Sequence, residues 1–239
     1  MANDKRAATE TRALDQPRTA RYALVFDLED VVLPARQAEY EALRHICDSH
    51  KAAMTPELFR RHCLQRQPQD YLPELLTALG VRANDVQTMA ADVTDGITMF
   101  LSSPEVELNP FVVALLEAAP AQSIAVYFRT RQAVDQARAL LDKSRQVLAD
   151  WPLLASDTGG RPLVSVGAWL SAVATLEQTT SHCIAVVGSQ PQLRTALAAG
   201  MRAIVVPDCF TAFQEFSGAD CVIDNPADWD PATVLAWWS

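Results

Sequence analysis

The chain has few basic side chains for its acids: 20 Lys and Arg against 29 Asp and Glu, a formal charge of −9, with no Lys/Arg block to offset it. That balance opposes the phosphate backbone of a nucleic acid and excludes it as an expected partner. The five cysteines (Cys47, Cys63, Cys183, Cys209, Cys221) are scattered, odd in number and without a CxxC pair. This argues against a zinc site and a disulfide framework and leaves reduced, mostly buried thiols. His45, His50, His62 and His182 lack metal-ligand spacing and read as structural. No run approaches the roughly 20 apolar residues that cross a bilayer. The first twenty residues, polar and mixed in charge, also lack the apolar middle of a secretion signal. A soluble, cytoplasmic protein with no membrane partner is expected, its residues 1–20 a flexible tail. Internal repeats and low-complexity tracts are absent as well.

What is present is enough apolar side chain, 49% of 239 residues, to build a sizeable core. Five short apolar runs read as strands: Ala23–Phe26, Ile124–Phe128, Leu153–Ala155, Ile184–Val187 and Ala203–Val206, with Cys221–Ile223 as a sixth. Helical patterns lie between most of them. Val134, Ala137, Leu141 and Val147 share a face, and Leu193, Leu197 and Met201 recur at four-residue spacing. Strands alternating with helices predict an α/β fold, a Rossmann-like parallel sheet covered on both sides. Residues 35–105 interrupt the alternation with helix-like segments only. Their apolar stripes are Ala42, Leu43, Ile46 and Cys47, then Leu72, Leu75, Leu76 and Leu79. The expected organisation is a core of residues 21–34 and 106–239, with residues 35–105 inserted as an all-helical cap.

Ligands of open parallel sheets bind at the carboxyl ends of the strands, and three polar stretches fall there. The first strand runs into "DLED", residues 27–30; the second ends in "FRTR", residues 128–131; the fourth is followed by "GSQPQ", residues 188–192. Each has an ordinary reading too. Asp27 caps a turn, Glu29 and Asp30 are solvated loop acids, and Phe128 is a core aromatic. Thr130 caps a helix beginning near Arg131, and Arg161 pairs with Asp157. The Trp237–Trp238 pair reads as the anchor of a final helix.

Taken in order, "VFDLEDVVL", "LNPFVVALLEA", "GGRPLVS", "IAVVGSQPQLRTALAAGMRAIVV" and "GADCVIDNPADW" resemble the haloacid dehalogenase (HAD) superfamily, over nearly the whole chain from Tyr22. The branch resembled carries a helical cap after strand one, as in phosphoglycolate phosphatases and β-phosphoglucomutase. The resemblance implies an aspartyl-phosphate mechanism with Asp27 as nucleophile and Glu29 as general acid and base. It implies substrate binding by Thr130, Arg131, Arg161 and Ser189, and Mg²⁺ held by Asp27 and at the Glu29 position. The motifs depart from that pattern. Glu29 and Asp30 replace Asp and Gly, Phe128 stands where a phosphate-holding hydroxyl belongs, and Arg161 replaces Lys. Ser189 replaces the metal-binding Asp, and no carboxylate lies between Glu177 and Asp208. Since Mg²⁺ prefers carboxylate oxygens, it is expected to bind weakly.

The expectation is therefore an impaired phosphohydrolase site that binds a small phosphorylated or anionic ligand, or a protein partner such as a second copy of the chain. The rivals are a slow, Mg²⁺-dependent phosphatase and a metal-free, dehalogenase-like hydrolase. Asp27, Phe128, Arg161 and Ser189 are expected to meet at one end of the sheet, facing the helical insertion.

Overall fold

A computed structural model describes residues 20–82, 85–103, 105–144, 152–155 and 164–238 of the protein. Six strands form one sheet in the order β3-β2-β1-β4-β5-β6, every neighbouring pair parallel. They are β1 (Tyr22–Asp27), β2 (Ile124–Thr130), β3 (Leu153–Ala155), β4 (Cys183–Val187), β5 (Arg202–Val205) and β6 (Cys221–Val222). The apolar runs of β1 and β4 are buried throughout because helices cover both faces. Leu24 and Phe26 face a cluster completed by α5 (Pro110–Ala118), α6 (Val134–Ser144) and α9 (Pro231–Ala236). Ala23 and Val25 face the opposite cluster with α7 (Val166–Thr175) and α8 (Gln190–Ala198). Trp238 is buried in the first cluster and anchors α9, whereas Trp237 stays half-exposed against Trp229.

Between β1 and α5 the chain forms four helices: α1 (Ala35–Ser49), α2 (Pro56–His62), α3 (Pro68–Leu79) and α4 (Val86–Leu101). Their boundaries follow local chemistry. Thr55 and Asp85 cap α2 and α4 through side-chain oxygens, and Gly80, at φ +68°, ends α3 in the left-handed region. Leu43, Cys47, Phe59, Leu72, Leu75 and Val93 give these helices a hydrophobic cluster of their own. α1 and α4 cross closely at Gly96, where a β-carbon would stand 2.8 Å from that of Ala42.

β2 runs two residues past its expected end, because Arg129 and Thr130 pair with Leu154 and Ala155 of β3. Thr130 is therefore the last strand residue rather than a helix cap, and the following helix starts at Val134, not near Arg131. Of the sequence expectations, the tail before Ala20, Val147, Asp157 and Arg161 lie outside the described residues.

Candidate functional site

The carboxyl end of β1 leads into one wide turn, Leu28–Val32, closed by a 2.7 Å bond from Leu33 N to Leu28 O. A five-residue-wide π turn is uncommon and is often found at functional sites. Asp27 holds it from below: Oδ1 accepts from Asp30 N at 2.8 Å. The turn folds Glu29 and Asp30 back over the strand end, so Asp27, Glu29 and Asp30 are all buried.

Three buried acids together require donors, since a buried charge left unpaired costs several kcal/mol. The first donor is Gln192, in the opening turn of α8. Its Nε2 donates to Asp27 Oδ2 at 2.6 Å and to Asp30 Oδ2 at 3.0 Å. Its Oε1 accepts from Gly188 N at 3.2 Å and Ser189 Oγ at 2.9 Å. The Gly188 N–H fixes which end of the carboxamide faces the acids, and all four of its hydrogen-bonding directions are used. Ser189 also accepts from Gln65 Nε2 at 2.8 Å, which ties the α2–α3 loop to the sheet.

The second donor is Arg36, in the first turn of α1 and 5% exposed. Nη1 lies 3.0 Å from Asp30 Oδ2 and Nε 2.6 Å from Asp208 Oδ2. Nη2 donates to the backbone oxygens of Asp30 at 2.9 Å and Gly188 at 3.3 Å. Asp208, beyond β5, is oriented by the N–H groups of Phe210 and Thr211. Glu29 is held differently: Thr130 Oγ1 donates to Oε1 and Arg131 N to Oε2. Arg131 then reaches Asp30 Oδ1 at 3.5 Å.

These surroundings set the protonation balance. Burial, with the nearby charges of Asp30 and Glu29, pushes the Asp27 carboxyl up to about 8. Glu29 is raised as well, chiefly by burial. For Asp30 burial works in the same direction, but the Arg36 and Arg131 guanidiniums outweigh it and hold the carboxyl below its usual range.

Of the residues singled out in the sequence, Asp27, Glu29, Thr130 and Ser189 converge on this pole, and Arg131 stands at its edge. Phe128 does not join them. Strand alternation turns its ring into the core, edge-on to Phe26 at 6.0 Å between centroids, which agrees with its reading as a core aromatic and corrects the expectation that it meets Asp27 and Ser189. Arg161 lies outside the described residues. Three participants had not been singled out, Arg36, Gln65 and Asp208, and Gln192 had been marked only as part of the "GSQPQ" stretch. Arg129, on the opposite face of β2, is buried over the Trp169 ring at 4.8 Å.

Between the pole and the inserted helices lies a cavity of about 600 Å³. Asp30, Arg36 and Arg131 form its floor, and Gln65, Arg66, Gln67, Gln132 and Gln136 are among its walls. Asp27 and Glu29 line neither this cavity nor the smaller one beside Asp208.

A Mg²⁺ ion, which the HAD resemblance implies, does not fit the donor set. Each Asp27 and Glu29 oxygen already accepts one N–H or O–H donor, and Asp30 Oδ1, buried without a hydrogen bond, faces the Arg131 guanidinium at 3.5 Å. The backbone oxygens of Asp30 and Gly188 point at a guanidinium, so an ion bound here would sit beside a fixed positive charge. Among the described residues no three His, Cys, Asp or Glu side chains are grouped as metal ligands.

The fold has relatives among solved structures. A mutant of CbbY from Rhodobacter sphaeroides, in complex with xylulose-(1,5)bisphosphate, superposes with a TM-score of 0.68 at 20% identity, covering 87% of this chain and 95% of its own. β-Phosphoglucomutase from Clostridium difficile gives 0.67 at 14% identity over 91% and 96% of the two chains. A haloacid dehalogenase-like hydrolase from Streptococcus pneumoniae gives 0.67 at 14% identity over 92% and 100%. The chain has the haloacid dehalogenase fold. No protein-family model and no curated protein sequence matches the HAD-like chain.

Proposed function

We propose that this HAD-fold chain has an impaired phosphohydrolase site and binds a small phosphorylated or anionic ligand in the cavity between sheet and helices. The observation that carries the reading is the position of Asp27. Attack on phosphorus needs the nucleophile about 3–3.5 Å from the reacting atom. Asp27 is 2% exposed, accepts hydrogen bonds on both oxygens and lines neither described cavity. A ligand on the cavity floor meets Asp30 and Arg131 instead.

The ligand class rests on the lining. The volume suits a small metabolite, and the amide-rich walls offer hydrogen bonds to hydroxyl groups. Arg36 is taken up by Asp30 and Asp208, and Arg66 by Glu74 at 2.8 Å. Arg131 lines the cavity floor, where its one ion pair, 3.5 Å to Asp30, is the loosest of the three, although the charges of Glu29, Asp27 and Glu39 also act on it. The complexes of CbbY with phosphate and with a sugar bisphosphate support the same class.

The test is phosphorus NMR with inorganic phosphate and EDTA. Concentration-dependent line broadening is expected with the parent. Arg131→Leu should weaken it roughly 10–100-fold, the value of a charge-assisted hydrogen bond. Absent broadening at millimolar phosphate, or broadening that Arg131→Leu leaves unchanged, would contradict the assignment.

A further inference from the structure

We propose that Arg36 and Gln192 are a built-in replacement for a divalent cation, holding the carboxylates at this pole in place without metal. A cation that organises several acids must neutralise them, bind backbone and side-chain oxygens together, and fix their separation. The guanidinium does the first two. It contacts Asp30 and Asp208 through their carboxylates, and Asp30 and Gly188 through their carbonyl oxygens. The carboxamide does the third, spanning Asp27 and Asp30 at 2.6 and 3.0 Å. The contacts bring together α1, the turn after β1, the loop after β4 and the loop after β5, elements up to 172 residues apart.

Gly188 is part of the device. A β-carbon there would lie 2.5 Å from Arg36 Nη2 and 2.8 Å from Asp30 O, so the guanidinium occupies the space that any larger residue would take. Arg36 is also anchored on both sides, by buried Asp30 and by Asp208, whose carboxylate is turned toward it by backbone N–H groups. A lone arginine forming a surface ion pair has neither property. The assignment does not rest on what the cavity binds: Asp30 and Arg36 also line the cavity floor, but their bonds to Asp208, Gly188 and Gln192 are tested without any anion.

Thermal melting of the full chain in millimolar MgCl₂ or MnCl₂ against EDTA, at matched ionic strength, tests it. The parent is expected to melt at one temperature in all three. Arg36→Met removes the internal cation and should melt lower in EDTA and recover by about 3 °C or more with a divalent ion, a readily measured shift for a chain of this size. Should Arg36→Met fail to fold, Gln192→Glu keeps Arg36, turns a donor into a further acid, and should gain the same ion-dependent recovery. Tight stoichiometric Mg²⁺ binding by the parent, or folded variants indifferent to divalent ions, would overturn the proposal. Phosphate broadening in EDTA reports the cavity separately.

Discussion

The pole around Asp27 and the cavity above it lie side by side and differ in how their polar atoms are engaged. At the pole the acids, the carboxamide and the guanidinium are buried and bonded to one another across four segments of chain. In the cavity, Gln132 and Gln136 are among the lining side chains, beside an arginine held by a 3.5 Å contact. Under the proposed reading, the Asp27 position serves as a structural node and a ligand meets the groups that line the cavity. Removing a member of a buried polar network leaves its partners unsatisfied at low dielectric, so the pole should be intolerant of change and the cavity walls permissive.

The sharpest way to break that contrast is Gln192→Leu. It removes two donors from buried acids and one acceptor from the Gly188 N–H and Ser189 hydroxyl. With about 1–3 kcal/mol for each buried polar group left unsatisfied, a loss of about 3–5 kcal/mol is expected in denaturant melts. A loss below about 1 kcal/mol would show that the network is not what holds the pole together.

The pH dependence is the next largest effect. Asp27, raised by burial to about 8, and Glu39, raised mainly by burial to about 7, retain protons in the folded state that the unfolded chain has released. For carboxyls shifted upward, stability is highest below their unfolded values near 4 and is lost as pH rises through the folded ones. The melting temperature should therefore fall between about pH 5 and pH 8, and Asp27→Asn should flatten that slope. A melting temperature that rises across the interval would mean that Asp27 is ionised throughout. The smallest effect is expected from Gln136→Ala in the cavity wall, within about 0.5 kcal/mol of the parent by the same melts.

The fold was legible because strands buried on both faces leave uninterrupted apolar runs, as in β1 and β4, and because the helices before α5 leave apolar stripes such as Leu72, Leu75 and Leu76. The acids of the site were legible for a similar reason: "DLED" sits directly after an apolar strand. Their partners were not. Arg36 occupies the first turn of a helix, where a polar residue ordinarily signals nothing, and Gln192 closes the marked "GSQPQ" stretch without indicating its partner, since their bonds span up to 172 and 165 residues of sequence. One clue was available: the stretch lacking acids before Asp208 required some other group to face Asp27. Phe128 was a matter of register, since its place in the motif suggested the site while strand alternation sends its ring to the core.

Under the proposed function, Asp27 is sealed by its own protein and does not attack phosphorus. The direct measurement is turnover of a generic aryl phosphate ester by the purified chain with millimolar Mg²⁺, beside Asp27→Asn. The two proteins are expected to release phosphate at the same background rate. Mg²⁺-dependent turnover by the parent, abolished in Asp27→Asn and in EDTA, would contradict it and show that Gln192 and Arg36 move aside for metal and substrate.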